Sequence, residues 1–239
     1  MTNPTTINTR KRTSKMAAYK LFFLISTIAF FTFACQEEPL VTASIEEDEK
    51  AAPPLADQLI DYIPLAVGQY WVFQGEYTNL ETGEVTPIGK FDSLYVASDT
   101  LIGRHQYFKI EGKRFGITLN TLVRTSGPEL LDHMNQLLFS LEHYNDTLQL
   151  PSHLLLEEAS FSETILQDGG EQEIPFGKFE SIVVDQIHHL NNGQDTYLGE
   201  TIIYESNFFS KNLGPIRFTR LLPHHQIFIE MELVRSSLF

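Results

Sequence analysis

Residues Gln69 to Thr78 read QYWVFQGEYT. Aromatic and β-branched residues dominate this stretch. In a pleated strand it puts Tyr70, Val72 and Gln74 on one face and Trp71 on the other. Segments of the same character recur down the chain. Phe91 to Ser98 (FDSLYVAS) sets Phe91, Ser93, Tyr95 and Ala97 on one face, and Gln106 to Glu111 (QYFKIE) alternates again. Thr82-Gly83 and Gly103 mark the turns between them, and Phe115 to Arg124 continues the pattern up to a break at Gly127-Pro128. Leu137 to Tyr144 reads as a strand closed by Asn145-Asp146. Ser160 to Leu166 and Gln172 to Ile174 flank Asp168-Gly169-Gly170, which reads as a hairpin turn. Phe179 to Ile187, ended by Asn191-Asn192-Gly193, then Glu200 to Ser206, Pro215 to Leu221 and His225 to Val234 complete the series. Ten to twelve short strands at this spacing predict an all-β domain, a single antiparallel β-sandwich, barrel or half-barrel. Helical candidates are short and two in number, Glu129 to Glu142 and Ser152 to Ala159.

The composition narrows the function classes. The chain has 239 residues, of which 42% are hydrophobic and 20% charged, enough apolar material for one packed domain and too little for a polytopic membrane protein. Lysine and arginine total 17 against 31 acidic residues, a net charge of −14, which argues against a nucleic-acid partner. A single cysteine forbids an internal disulfide and a cysteine-based zinc cluster.

That cysteine sits at an informative place. Residues 1–34 carry Arg10, Lys11, Arg12, Lys15 and Lys20 and no acid, and they end in 14 uncharged, mostly apolar residues, Leu21 to Ala34. A basic segment, a short apolar run and a small residue make the layout of a signal peptide. Fourteen helical residues reach roughly 21 Å, short of the ~30 Å hydrocarbon core. Thr32-Phe33-Ala34-Cys35 resembles a bacterial lipobox, which implies cleavage before Cys35, a diacylglyceryl group on its thiol and an acyl chain on its freed amine. Several chains anchor far better than one, since each buried CH2 contributes about 0.8 kcal/mol. The reading is therefore 1–34 lipoprotein signal peptide, 35–60 lipidated cysteine and acidic tether, 61–239 β domain. Cleavage leaves 12 basic and 31 acidic residues, a net charge of −19. Residues 36–57 hold seven acidic residues, one lysine and three prolines without periodicity, the composition of an unstructured, self-repelling tether.

Three segments resemble a family of uncharacterised Bacteroidetes outer-membrane lipoproteins. Ile63 to Phe73 (IPLAVGQYWVF) is similar to a PLxxGxxW opening, Ile174 to Glu180 (IPFGKFE) to a PxGxF strand start, and Phe209 to Ile216 (FSKNLGPI) to a YxxGxGxV segment. In the last, Phe209 stands for the tyrosine and Asn212 for the first glycine. The resemblance implies an exported, lipid-anchored, mostly β domain and no reaction. Gln36-Glu37-Glu38 after the cysteine resembles the surface-export signal of lipoproteins in that phylum, which implies the outer leaflet of the outer membrane, facing the medium; the alternative is an acidic start to the tether with the protein on the periplasmic face. Asp92-Ser93-Leu94, Asp99-Thr100-Leu101 and Asp146-Thr147-Leu148 resemble its O-glycosylation motif, with Ser93, Thr100 and Thr147 as acceptors. Read physically, the family segments are structural. Pro64 suits a strand start, Gly68 a bend at φ > 0, and Trp71 a core anchor, while Gly177 and Gly214 set tight turns.

Residues for chemistry are scarce. His188-His189 and His224-His225 are adjacent pairs, whose side chains point to opposite faces of a strand, so each pair is expected at an exposed strand end. A metal would need a cross-strand set such as His189 with His225 and Asp185 or Glu230. HExxH, GxSxG, SxxK and phosphate-binding glycine loops are absent. No catalytic residue, metal or cofactor is therefore assigned. The function expected is a lipid-anchored envelope protein whose β domain binds a ligand or a protein partner, with an assembly accessory of an outer-membrane complex as the rival and an extracellular hydrolase behind it.

Overall fold

The computed structural model describes residues 59–150, 159–190 and 202–238. Residues 1–34, Cys35, the tether to residue 58 and the turn at Asn191-Asn192-Gly193 lie outside them. So does the helix candidate Ser152 to Ala159, apart from Ala159, which opens a strand. The chain divides into residues 1–50 and 51–239, and only the second contains described residues.

A single turn of helix, α1 (Leu59–Tyr62), precedes twelve strands. They are β1 (Tyr70–Asn79), β2 (Val85–Ile102), β3 (His105–Arg114), β4 (Ile117–Ser126), β5 (Glu129–Asp132), β6 (Leu137–Ser140), β7 (Thr147–Leu150), β8 (Ala159–Ile174), β9 (Gly177–Leu190), β10 (Ile202–Ser210), β11 (Gly214–Leu222) and β12 (Ile227–Ser236). Leu59 is fully buried, so the packed unit reaches back at least two residues before Asp61.

All twelve strands form one antiparallel sheet, in the order β6-β5-β4-β3-β2-β1-β12-β11-β10-β9-β8-β7. Every neighbour pair but β1–β12 is consecutive in sequence, and that one pair joins the two halves of the meander. The sheet curls until its ends approach. Phe139 of β6 lies 5.8 Å from Phe209 of β10 across the interior. The 3-10 turn Leu141–His143 then carries the chain to Tyr144, which bridges Leu166 of β8, and the Asn145 amide donates to the Leu166 carbonyl at 2.7 Å. The result is a nearly closed barrel rather than a two-sheet sandwich.

The face assignment at Gln69 to Thr78 holds except at Val72, which is buried beside the bulges that interrupt β1. Trp71 and Phe73 point inward at 2% and 1% exposure, while Tyr70 and Gln74 point out. On β2 the set Phe91, Ser93 and Tyr95 faces outward, and Leu94 and Val96 fill the interior. Two of the three family-like segments, the first and the last, meet at the indole. Trp71 Nε1 donates to the buried Leu213 carbonyl at 2.7 Å. A Cβ at Gly214 would stand 2.8 Å from Trp71 Nε1, and Gly214 has φ +89, so only glycine fits beneath the ring. Asn212, the residue in place of the first glycine, takes φ +62, a conformation asparagine tolerates, and its amide donates to the Asp61 carbonyl.

Two local expectations are corrected. Glu129 to Glu142 forms no α-helix. It folds as β5, a tight turn and β6, because Asn135 adopts φ +60 and Asp132 Oδ1 accepts the amides of Met134 and Gln136. Asp168-Gly169-Gly170 is no hairpin turn. β8 runs straight through it to Ile174, with a bulge between Asp168 and Gly170, and the reversal comes at Pro175-Phe176. The Asp168 carboxylate accepts the Gly170 amide, and a Cβ on Gly169 would come within 2.4 Å of Ser181 Oγ, so these residues serve a bulge in tight contact with β9.

Candidate functional site: a charged layer and cavity inside the barrel

Inward parity on three adjacent strands mixes apolar and charged residues. β9 presents Val184, Gln186, His188 and Leu190, β10 presents Ile203, Glu205 and Asn207, and β11 presents Phe218, Arg220 and Leu222. Register sets Glu205 opposite Arg220 on one side and Gln186 on the other. One step along the strands, Leu190, Ile203 and Leu222 form an apolar cluster. In the other direction Val184 and Phe218 join the main core. The charged residues thus make a layer between two apolar layers.

Glu205 is the centre of that layer, with a fully buried side chain. Its Oε1 accepts from Nε and Nη2 of Arg220, the former at 2.8 Å. Its Oε2 accepts from Arg114 Nη2 at 2.9 Å, and Arg114 Nη1 donates to Asn207 Oδ1 at 2.8 Å. Arg114 arrives from the end of β3, on the opposite wall. Its guanidinium stands 5.3 Å from the Phe218 ring centroid, and that of Arg220 stands 4.2 Å from Phe115. Burial opposes ionisation of Glu205, yet the Arg220 and Arg114 charges outweigh it and hold the carboxyl below its ordinary range. His188 lies 3.9 Å from Glu205. Burial pushes its imidazole below the ordinary value; Glu205 raises it, Arg114 and Arg220 lower it, and the net shift is downward, so His188 is neutral at pH 7. Two guanidiniums, one carboxylate and a neutral imidazole leave the layer with one net positive charge.

Above this layer lies a cavity of about 130 Å³, partly open to solvent. Its walls come from β1 to β6 and β9 to β11, and include Trp71, Leu94, Leu119, Leu130, Phe139 and Phe218. Among the described residues Arg114 is the only charged side chain in the lining, with Thr121, Gln186 and Asn207 as its polar company. Among the described residues no carboxylate lines it, so the paired acids of a glycoside hydrolase are not found there among them.

The expected candidates fall elsewhere. Cys35 lies outside the described residues. Ser93 is half-buried on the outer face of β2, between a buried Asp92 that accepts the Gly116 amide and the inward Leu94. Thr100 and Thr147 are exposed. His224 and His225 are exposed in the β11–β12 turn, as expected of a strand end. His188 is not, since it is 7% exposed in the charged layer; this corrects the expectation for its pair. His189, on the outer face, stacks on Phe161 at 4.4 Å and approaches Glu163. Among the described residues no three histidine, aspartate, glutamate or cysteine side chains are placed to hold a metal.

Glu205, Arg220 and Arg114 escaped the sequence reading. The signal was a charge flanked at two-residue spacing by strand-forming apolar residues, as in Phe218-x-Arg220-x-Leu222. An exposed parity seldom has that composition.

No family model and no curated protein matches the sequence. Two solved structures are similar. One, from Bacteroides fragilis, is described as an exported protein with a YmcC-like fold: 13% identity, TM-score 0.44, covering 72% of this chain and 97% of that chain. The other, from Parabacteroides distasonis, is described as a lipoprotein: 11% identity, TM-score 0.37, covering 72% of this chain and 96% of that chain.

Proposed function

We propose that this chain is a lipid-anchored protein of the outer membrane, tethered through Cys35, whose barrel holds a small apolar ligand. The observation that carries the binding reading is the apolar cavity in the barrel interior, built by facing strands and reached from solvent. The basic, apolar and cysteine-terminated leader carries the anchor. The anchor accounts for Cys35, and the acidic stretch after it is the tether.

Two experiments test the two halves. Radiolabelled palmitate enters the wild-type chain and is absent from Cys35→Ala; equal labelling would remove the anchor. Native mass spectrometry of the protein purified from its own membrane detects a retained small molecule in wild type. The molecule is lost in Leu119→Trp, whose indole fills the cavity. A wild-type protein with no retained mass contradicts the ligand reading.

One observation favours a protein partner instead. Tyr70 and Tyr95 are cross-strand neighbours on the outer face of β1 and β2, and Phe91 on the same strand face is 64% exposed. An envelope complex docking there would cross-link to a photoreactive residue at position 91 in living cells.

A further inference from the structure

The ligand reading leaves the chemical class of the occupant open, and the charged layer narrows it. Arg114 shares Glu205 with Arg220, which takes Oε1 through two nitrogens. One carboxylate therefore serves two guanidiniums, and His188 supplies no compensating charge. Arg114 is the member of the layer that faces the cavity. Its Nε is buried and has no hydrogen-bond partner among the described residues. A guanidinium presents five N–H donors in a planar fork suited to a carboxylate. A buried donor without an acceptor and an uncompensated charge beside apolar walls both cost stability, and one incoming anion removes both costs.

Resting on the ligand reading above, we infer that the cavity binds an apolar monocarboxylate, with its carboxylate on Arg114 and its hydrocarbon body against Leu94, Leu119, Leu130 and Phe139. The charge count selects a monoanion. A phosphate monoester, at about −1.5 to −2 near pH 7, overshoots the single positive charge. The size selects a compact body. The cavity's 130 Å³ is close to the ~150 Å³ apolar cavity that accommodates benzene, so it takes one ring or a short alkyl chain, and longer tails project through the open side. A fatty acid and an aromatic acid share this chemistry.

The test uses three probes of one chain length, hexanoate, hexanol and hexylamine, with benzoate and acetate beside them. Binding is measured by saturation-transfer NMR to the mature lipidated protein in nanodiscs, against protein-free nanodiscs. Hexanoate is expected to bind at least ~10-fold tighter than hexanol, the ratio a charge-assisted hydrogen bond supplies, and hexylamine not at all. Benzoate binding with hexanoate's preference supports a compact body of either shape, and its ratio to hexanoate separates aromatic from aliphatic acids. In Arg114→Met the preference for hexanoate over hexanol disappears, and in Arg114→Lys it persists at lower affinity. Equal binding of hexanoate and hexanol to wild type overturns the anion inference and leaves the ligand reading standing. Acetate binding as tightly as hexanoate overturns the apolar-body part. No binding by any probe overturns both. If Arg114→Met fails to fold, the wild-type ratios and Arg114→Lys decide.

Discussion

Arg220 and Arg217 stand three residues apart on β11 and point to opposite sides of the sheet. Inside, Arg220 grips Glu205 with both side chains almost wholly buried. Outside, Arg217 joins Glu230 and Glu232 of β12, and also donates to Gln172 and the Glu173 carbonyl of β8, with its partners about a third exposed. The residue types are the same and the balance is opposite. The inner cluster carries one surplus positive charge within apolar walls, and the outer one carries one surplus negative charge that water can screen. What separates them is solvent. A removed partner inside leaves a charge that nothing replaces, whereas a removed partner outside is replaced by water. The proposed ligand site rests on that contrast, and the outer cluster is a clasp that keeps β8 against β11.

The sharpest way to break the contrast is to delete one carboxylate from each cluster. Glu205→Gln leaves two guanidiniums facing each other in the interior and is expected to cost about 3–5 kcal/mol in urea unfolding. Glu232→Gln is expected to cost about 0–1 kcal/mol. Equal losses would mean that the interior is wetter than its walls imply.

Acidification separates the clusters by sign. Glu205 and His188 both titrate lower in the folded chain than their ordinary values of 4.5 and 6.5. The unfolded chain therefore binds more protons through that range. Their stabilisation is complete above about 6.5 and is lost as pH falls, first through the imidazole and then through the carboxyl. Glu230 runs the other way. Burial raises it, Arg217 lowers it, and Glu232 and Glu76 raise it, with a net upward shift. Its contribution is present at low pH and fades as pH rises through its raised value. Urea midpoints should thus climb from pH 4 to 7. His188→Leu should flatten the upper part of that climb, and Glu230→Gln should steepen the lower part slightly. A climb unchanged in His188→Leu would place the titrating group elsewhere.

A smaller effect is expected where the first and last family-like segments meet. Trp71→Phe leaves the buried Leu213 carbonyl without its 2.7 Å donor and should cost about 1–3 kcal/mol. Gly214→Ala should cost a similar amount through its clash with the indole and its φ of +89. Because the two residues touch, combining Gly214→Ala with Trp71→Phe should cost less than the sum. Arg217→Met, at the outer clasp, should shift stability least, by about 1 kcal/mol or less.

The barrel was largely legible because alternation survives wherever one face is apolar. Gly214 to Leu222 shows it plainly, and Gly68 and Gly214 take the positive φ that their turns require. Legibility failed where short-range chemistry competes with longer-range pairing. Asp168-Gly169-Gly170 has the composition of a turn but is held in a bulge by Ser181 and the long β8–β9 ladder. Glu129 to Glu142 has apolar residues at helical spacing, and the positive φ of Asn135 broke it into two strands. The charged layer stayed hidden for another reason. Glu205 and Arg220 meet across the β10–β11 hairpin, but Arg114 is 91 residues from Glu205, and only closure of the sheet brings it to them. No spacing rule in a single sequence encodes that closure.

The most direct test is a crystal structure of the protein soaked with hexanoate. Its carboxylate should lie within hydrogen-bond distance of Arg114 Nε, with the chain running along Leu119 and Phe139. A structure in which that nitrogen meets only water, and the acid is absent or lies outside the barrel, would contradict the account.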